Sequence, residues 1–155
     1  MNLAIEELLK PFLSPDQIAA SHAVMGLDTQ LIADGTYFVV ECDGAIAGCG
    51  GWSRRATLFG GDHTVGRDAA LLDPRKDAAR VRAMYTSPIF VRRGVGRMIL
   101  EASERAAAAA GFCRVELGAT AGGEPLYRAC GYREISRIKT GPGDLVPITI
   151  MTKDI

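Results

Sequence analysis

The sequence predicts an α/β (α+β) fold in which a mixed, mostly antiparallel central sheet is flanked by helices. Two β-type runs, 36–42 and 45–53, are joined by the dipeptide Asp43-Gly44, which favours a tight hairpin turn. A strand, a long helix and a second strand follow in succession, the pattern of a parallel pair with a crossover helix. Hairpins are antiparallel and crossovers are parallel, so the sheet is expected to contain both kinds of pairing.

Length and charge limit the classes of protein that this chain can be. Its 155 residues suit a single domain, 1–155, that buries a sizeable core. The 18 Lys and Arg residues balance the 18 Asp and Glu residues, so we expect neither a nucleic acid nor a membrane surface as partner. No apolar run approaches the roughly 20 residues that cross a bilayer. Glu6, Glu7 and Lys10 interrupt the region where a signal peptide would be apolar, and we expect a cytoplasmic location.

The four cysteines show no metal-binding or redox spacing. No C-x-x-C pair occurs and no histidine lies nearby in sequence for any of the four, which are Cys42, Cys49, Cys113 and Cys130. We therefore expect no metal, and reduced, buried thiols.

The first third of the chain is predicted to form two helices. Apolar residues recur at helical spacing over 3–9 before Pro11 interrupts the pattern. Ser14 and Gln17 are placed as a capping box, with a proline at the first helical position, and Gly26 is the predicted end.

A long helix is predicted between two strands in the second half of the chain. Strand 79–87 is ended by Pro88, and the helix runs from Gly94 to a stop at Gly111. Its apolar stripe consists of Val95, Met98, Ile99, Ala102, Ala106 and Ala109.

The C-terminal part is predicted to contain three strands and one short helix. Strand 113–120 precedes the helix 124–130, and strands 133–140 and 146–153 flank a turn. An exposed final strand invites edge pairing with a second copy, so a homodimer is compatible with this pattern.

The stretch "VRRGVGR", at 91–97, places two glycines and three arginines where the long helix begins. The first N–H groups of a helix are unpaired and lie at the positive end of its dipole, so this junction attracts anions. Gly94 and Gly96 let the backbone approach a phosphate, and the arginines add charge. A tight turn capped by solvated arginines is the alternative. A Walker motif is absent, and Ile99 stands where a Rossmann fingerprint needs its third glycine.

Residues 83–132 resemble the GNAT superfamily of acyl-CoA-dependent N-acyltransferases. One motif is "VRRGVG", between a strand and a long helix, and the other is "LYRACGY", on the short helix after the next strand. The hairpin is similar to strands two and three of that family, so the resemblance extends over most of the chain from about Ser14. It implies a GNAT-like fold and an enzyme that moves an acetyl group from acetyl-CoA directly to a primary amine, without a metal.

The resemblance also implies roles for individual residues. Tyr127 matches the family's tyrosine near the thiol, a candidate general acid, because a phenol with a pKa of about 10 stays protonated at neutral pH. The alternative for Tyr127 is a core tyrosine. The implied acetyl-CoA-binding residues are Met84, Tyr85, Thr86, Val91, Arg92, Arg93, Gly94, Val95, Gly96, Arg97 and Thr120.

Three features depart from the family pattern. Val91 stands where Arg or Gln is usual, and Thr120 stands where many members have an asparagine. The N-terminal segment offers no clear first strand, so one edge of the sheet is expected to be missing or to lie upstream.

No general base is evident. Arg80 and Arg82 occupy the strand on which some members carry a catalytic glutamate. Glu41 and Glu116 lie on predicted strands and are candidates, but a strand glutamate more often faces solvent. The amine could instead lose its proton to water.

The sequence predicts least about the side of the site that binds the acceptor. His22 and His63 are interpreted as surface residues, and Trp52 as a core residue or part of an acceptor pocket. The mixed charge of segment 54–78, an expected wall of that pocket, does not choose between an amino acid, a polyamine, an aminoglycoside and a protein N-terminus.

Two further functions remain open on the sequence alone. One is a CoA-binding sensor or regulatory module without turnover, which the missing base and the departures at Val91 and Thr120 allow. The other is an interaction protein without a ligand that dimerises through its C-terminal strands.

Overall fold

The computed structural model describes all 155 residues, which form five α-helices, six strands and two short 3-10 helices. The α-helices are α1 (Asn2–Leu8), α2 (Pro15–Ser21), α3 (Thr29–Ala33), α4 (Val95–Ala109) and α5 (Glu124–Ala129). The strands are β1 (Tyr37–Cys42), β2 (Ala45–Ser53), β3 (Ala79–Thr86), β4 (Arg114–Ala119), β5 (Arg133–Thr140) and β6 (Val146–Asp154). The 3-10 helices are Pro88–Phe90 and Pro142–Asp144.

All six strands form one sheet in the order β1-β2-β3-β4-β6-β5. The strands β3 and β4 are parallel, and every other neighbouring pair is antiparallel. The predicted mixed, mostly antiparallel sheet is therefore confirmed. No strand precedes α1 in these residues, and the sheet begins with β1.

Helices cover both faces of the sheet. On β6, Ile148 and Ile150 pack in a cluster with Ala20 of α2. Met151 points to the opposite face and joins the larger core cluster with Leu100 of α4. Successive side chains of a strand alternate between faces, so β6 contributes to both layers of the core.

The hairpin and the first helix cap form as predicted. Asp43 and Gly44 have φ values of +52° and +74°, as a two-residue hairpin turn requires. Ser14 and Gln17 form the reciprocal capping box at the start of α2. These features depend on neighbours in the chain, so the sequence alone predicts them.

Helix α2 ends at Ser21, five residues before the Gly26 that the sequence predicts as its end. The carbonyl of Val24 accepts hydrogen bonds from the Gly61 N–H at 3.2 Å and the Thr64 hydroxyl at 3.0 Å. A distant segment thus binds the backbone that would otherwise continue the helix.

The short helix α3 was not predicted. Asp28 occupies its N-cap position, but the Asp28 side chain does not cap the helix. It is fully buried and paired with Arg82 and Arg67. A helix of five residues has too little periodicity to be distinguished from a turn.

The predicted apolar stripe of α4 is partly wrong. Met98 is 55% exposed, and the buried side of the helix includes Leu100, Ser103 and Ala107 besides Val95 and Ile99. The Ser103 hydroxyl donates to the Ile99 carbonyl at 2.9 Å, so a polar residue satisfies its hydrogen bond within the helix and can be buried.

Segment 54–78 folds back on itself. Arg55 forms a bridge with Leu71, and the Thr57 N–H donates to the Asp68 carbonyl at 2.9 Å. The Arg55 guanidinium also binds Asp34 beyond α3, at 2.7 and 2.8 Å. These contacts fix the segment against the start of β1.

The last strand does not lie at an edge, contrary to the sequence analysis. β6 lies between β4 and β5, and the edge strands are β1 and β5. Its nearly continuous burial agrees with an interior position, whereas β5 is exposed along almost its whole length. Pairing of two copies through β6 is therefore not available.

The cysteines are free, but the predicted burial is wrong. Cys113 is exposed, and Cys42, Cys49 and Cys130 are half-buried. No helix combines the length and the apolar character that a membrane span needs. The side chains of His, Cys, Asp and Glu nowhere gather in a group of three or more that could hold a metal ion.

Candidate active site

The parallel strands β3 and β4 separate after a short paired segment. Ala79 and Arg80 of β3 pair with Val115 and Glu116 of β4, and no later residue of β3 pairs with β4. The other six residues of β3, 81–86, do not pair with β4. The sheet is thereby opened at its centre.

A bulge in β3 accompanies this separation. Ala83 and Met84 together lie opposite Gly50 of β2, and Ala83 has a φ of +51°, a conformation that alanine rarely adopts. The Tyr37 hydroxyl donates to the Ala83 carbonyl at 3.3 Å. A bulge bends its strand and increases the local twist, so this one adds to the divergence of β3 from β4 that begins after Arg80.

A groove of about 700 Å³ occupies the opening. Its walls come from the end of β3, the start of α4, the helix α5 and the apolar side of α1. A groove of this size suits a ligand larger than an amino acid.

The start of α4 presents unpaired N–H groups at the mouth of the groove. No protein group accepts a hydrogen bond from the six amides of residues 92–97. Arg92 and Gly94 have left-handed φ values of +62° and +82°, and alternation of left- and right-handed residues turns successive amides to one side. Together with the helix dipole, this arrangement is an anion-binding site suited to phosphate.

Gly96 lies against α5 at the start of α4. A Cβ atom at this position would be 2.8 Å from Cδ2 of Leu126 and 3.7 Å from the hydroxyl of Thr86. A side chain here would therefore enter the groove wall beside the free amides. The two glycines are required for different reasons. Gly94 adopts a positive φ, and Gly96 leaves space for the Leu126 side chain.

The structure brings most of the residues named from the resemblance to one place. Those that line the groove are Met84, Tyr85, Thr86, Val91, Arg92, Gly94, Val95, Gly96, Arg97, Thr120 and Tyr127. Arg93 does not line it, because its guanidinium lies over the ring of Phe90, 5.5 Å from the centroid.

The N-terminal segment supplies an apolar wall of the groove that its sequence pattern does not predict. Ile5, Leu8, Leu9 and Phe12 line the groove, and Phe12 is 51% exposed. Their helical spacing was visible, but it does not reveal which element the helix packs against.

A second cavity of about 120 Å³ lies on the other side of the same opening. It is bounded by β3, by residues 58–60 of the folded-back segment and by Ile148 of β6. The residues that line both cavities are Met25, Met84, Tyr85, Thr120, Gly123 and Tyr127. A group in the groove and a group in the second cavity would therefore meet beside Tyr127.

Tyr127 is held at this junction by its helix. It is 7% exposed, its ring packs edge-on against Tyr132 at 5.8 Å, and its hydroxyl has no hydrogen-bond partner in the protein. Burial, followed by the neighbouring Tyr85 and Cys130, raises the pKa of Tyr127 above the usual range of a phenol. The phenol therefore stays protonated at neutral pH and can donate.

Thr120 and Tyr85 fix the surroundings of Tyr127. The Thr120 hydroxyl accepts from the Gly123 N–H at 3.2 Å, which holds the turn before α5. The Tyr85 hydroxyl accepts from the Gly26 N–H at 2.9 Å and donates to the Gly26 carbonyl at 3.2 Å. Burial raises the pKa of Tyr85 to about 12, so this group is neutral as well.

Neither cavity is lined by a carboxylate or a histidine. Glu116 is paired with Arg80 across the two parallel strands, and Glu41 is exposed on the edge strand β1. The His63 ring nitrogen Nε2 lies 2.8 Å from the carbonyl oxygen of His22. The structure thus places the candidate bases of the sequence analysis away from the site.

Trp52 belongs to the core and not to the site. It is 6% exposed and packs edge-on against Phe112 with ring centroids 6.1 Å apart. The core interpretation of the sequence analysis is the correct one.

A buried ion-pair network supports the second cavity. Arg82 of β3, which lines the cavity, lies 2.6 Å from Oδ2 of Asp28 and donates to the Gly60 carbonyl at 2.8 Å. Arg67 binds the other oxygen of Asp28 at 2.8 Å. The network joins β3 to the start of α3 and to the folded-back segment that forms one wall.

Comparison with known proteins gives a family and a fold. The sequence model of the family described as acetyltransferase (GNAT) domain matches residues 33–134 of this chain. In sequence, no curated protein matches the chain.

Several solved structures share the fold. A GCN5-related N-acetyltransferase from Rhodopseudomonas palustris has a TM-score of 0.71 and 21% identity, with 99% of this chain and 84% of that chain covered. The PaiA N-acetyltransferase from Thermoplasma acidophilum, solved with coenzyme A, has a TM-score of 0.62, 11% identity and coverage of 99% and 87%. Naa20 from Chaetomium thermophilum, solved with a bisubstrate analogue, has a TM-score of 0.60, 17% identity and coverage of 91% and 82%.

Proposed function

Because this chain belongs to the GNAT acetyltransferase family and is therefore an acyltransferase, we propose that it moves an acetyl group from acetyl-CoA directly to a primary amine. The observation that carries the proposal is the set of six unpaired amides at residues 92–97, since five of these residues line a groove that Tyr127 also lines. The proposal treats residues 1–155 as one domain, since α1 lines the groove and β6 lies within the sheet.

The groove fits coenzyme A by its chemistry. The free amides of 92–97 suit the diphosphate, and Arg92 and Arg97 add positive charge at the same end. Between this end and Tyr127 the walls are mainly apolar and suit a flexible thioester arm. Two of the solved structures that share this fold, those of PaiA and of the Mycobacterium tuberculosis protein Rv2747, contain bound coenzyme A.

In the proposed reaction, the amine nitrogen attacks the thioester carbonyl, a C–N bond forms and the C–S bond breaks. Tyr127 donates its proton to the departing thiolate, and the amine gives its own proton to water. No cysteine lines either cavity, which favours direct transfer over an acetyl-cysteine intermediate.

Calorimetric titration with acetyl-CoA, alongside NADH and ATP, tests the cofactor assignment. We expect saturable, one-to-one binding of acetyl-CoA and much weaker binding of the other two, because only acetyl-CoA combines a diphosphate with an arm that fills the groove. Equal affinity for all three would reduce the site to a general anion site, and no binding at all would refute the proposal.

The pH dependence tests the absence of a general base. With no carboxylate or histidine in the site, kcat/KM should rise tenfold per pH unit up to the pKa of the acceptor amine. The raised pKa of Tyr127 keeps the acid protonated, so no decline is expected below about pH 10. Two acceptors with different amine pKa values should give correspondingly shifted profiles. If kcat/KM for both acceptors instead levelled off at the same pH, near 7, a general base in the protein would be indicated.

The missing base leaves one alternative from the sequence to be tested, a CoA-binding module of this family that has lost turnover. Both candidates predict binding of acetyl-CoA, but only the enzyme releases free thiol when an amine is added. A screen of amines with thiol detection therefore separates them.

A further inference from the structure

The guanidinium of Arg82 is buried and only partly paired. Its side chain is 1% exposed, and Nη2 makes both of its contacts, with Asp28 and the Gly60 carbonyl. The Nε and Nη1 nitrogens, which carry three N–H groups, are buried without a hydrogen-bond partner. Such groups are costly to leave unpaired, so they point to a ligand or to ordered water.

The negative charge near Arg82 is shared. Asp28 is completely buried, but it also binds Arg67 at 2.8 Å. The next carboxylate, Asp62, is 41% exposed, lies 3.8 Å from Arg67 and accepts from the Thr29 N–H. One buried carboxylate therefore faces two arginines. Burial lowers the pKa of Arg82 to about 10; Arg67 adds to this effect, and Asp28 opposes it. A lowered pKa is expected for a buried cation whose charge is not fully balanced by nearby carboxylates.

The remaining walls of the second cavity are mainly apolar. Val24, Leu58, Phe59 and Ile148 contribute to them, and Arg82 is the only charged residue among the lining residues. A cationic group on a ligand would find no carboxylate there and would meet the positive charge of Arg82. An apolar side chain and one anionic group match the lining.

We propose that Arg82 binds the carboxylate of the acceptor, so that the acetylated amine belongs to a small apolar amino acid. This inference rests on the proposed acetyl transfer, since it assigns the substrate class of the same site. The acceptor's apolar side chain packs against the walls of the second cavity. Its amine reaches the junction at Tyr127, where the groove and the cavity share their lining residues.

The test compares each amino acid with its carboxamide, which differs only at the anionic group. L-Leucine and L-valine are assayed against L-leucinamide and L-valinamide at saturating acetyl-CoA by release of free thiol. Rates are divided by the fraction of neutral amine, because the carboxylate raises the pKa of the neighbouring amine. We expect kcat/KM for the acids to exceed that for the amides by about tenfold or more, the size of a charge-assisted hydrogen bond. Equal values would overturn the inference and would indicate that Arg82 holds internal water only.

A double variant, Asp28→Asn with Arg82→Gln, tests whether Arg82 is the group that binds the carboxylate. It removes both buried charges together, whereas Arg82→Gln alone would leave Asp28 without its closest partner. We expect the double variant to bind acetyl-CoA as the parent does and to lose the preference for acids, giving an acid-to-amide ratio near one. A preserved preference would refute the role of Arg82. If the variant does not fold, the comparison made on the parent protein still decides the inference.

A binding measurement separates this inference from the proposed function. N-Acetyl-L-leucine and N-acetyl-L-leucinamide are titrated into the parent protein and followed by thermal unfolding. Stabilisation by the acid but not by the amide supports the carboxylate site even if acetyl-CoA fails to bind, in which case only the proposed function falls. Binding of acetyl-CoA with no distinction between the two N-acetyl compounds leaves the proposed function standing and overturns the inference.

Discussion

Replacing Gly96 by aspartate is expected to weaken acetyl-CoA binding by about 100-fold or more. The new carboxylate would project from the start of α4 beside the free amides of 92–97, where the diphosphate is proposed to bind. Two unit charges about 5 Å apart at an effective dielectric constant of about 20 repel by about 3 kcal/mol, which corresponds to about 100-fold in affinity. Calorimetric titration of the variant with acetyl-CoA measures the loss directly.

Gly96→Asn is the matched control for this substitution. Asparagine has nearly the same shape as aspartate, and its Cβ meets the same Leu126 methyl group, 2.8 Å away before relaxation. It therefore reports the steric part of the effect, and the difference between the two variants reports the charge. We expect the asparagine variant to retain measurable binding. Equal affinities for both variants would mean that no anion binds at the start of α4, and unchanged affinity for both would remove this loop from the site.

Replacing Tyr127 by phenylalanine is expected to lower kcat by about 100-fold with little change in acetyl-CoA affinity. The hydroxyl is the group proposed to protonate the departing thiolate, and general acids typically contribute 10²- to 10⁴-fold. It has no hydrogen-bond partner in the protein, so its removal leaves no buried group unpaired, and the ring keeps its packing against Tyr132. Steady-state kinetics, combined with calorimetry, separates the two quantities.

Tyr132→Phe provides the comparison for the tyrosine variant. Tyr132 is 3% exposed and belongs to the same edge-to-face pair, but it lines neither cavity. Loss of its hydroxyl should leave kcat within about twofold of the parent value. A normal rate for Tyr127→Phe would make Tyr127 a structural residue. An equal loss in both variants would assign the effect to packing instead of proton donation.

The fold could be predicted largely because its strongest signals are local. Asp43-Gly44 specifies a hairpin turn through the conformations available to two residues, and Ser14 and Gln17 specify a helix start through hydrogen bonds within one turn. The motif at 91–97 places free amides and arginines together because they are neighbours in the chain. In each case the partners lie within a few residues of one another.

The order of the strands could not be read in the same way. The sequence predicts β6 as a strand, but whether it lies at an edge or between β4 and β5 depends on residues far away in the chain. Its apolar residues on both faces, such as Ile150 and Met151, are the signal that could have indicated an interior position. The pairing of strands is a competition among distant segments, which periodicity alone does not resolve.

The sequence by itself determined the class of fold, the helix start that faces the groove, and Tyr127 on the short helix beyond it. The tertiary structure decided what those parts enclose. The sheet opens where β3 stops pairing with β4, α1 forms one wall of the groove, and Arg82 is buried beside a carboxylate from the start of α3. Local signals arise from backbone conformation and hydrogen bonds between near neighbours. A cavity and the charge within it arise from contacts between segments that the chain brings together only when it folds.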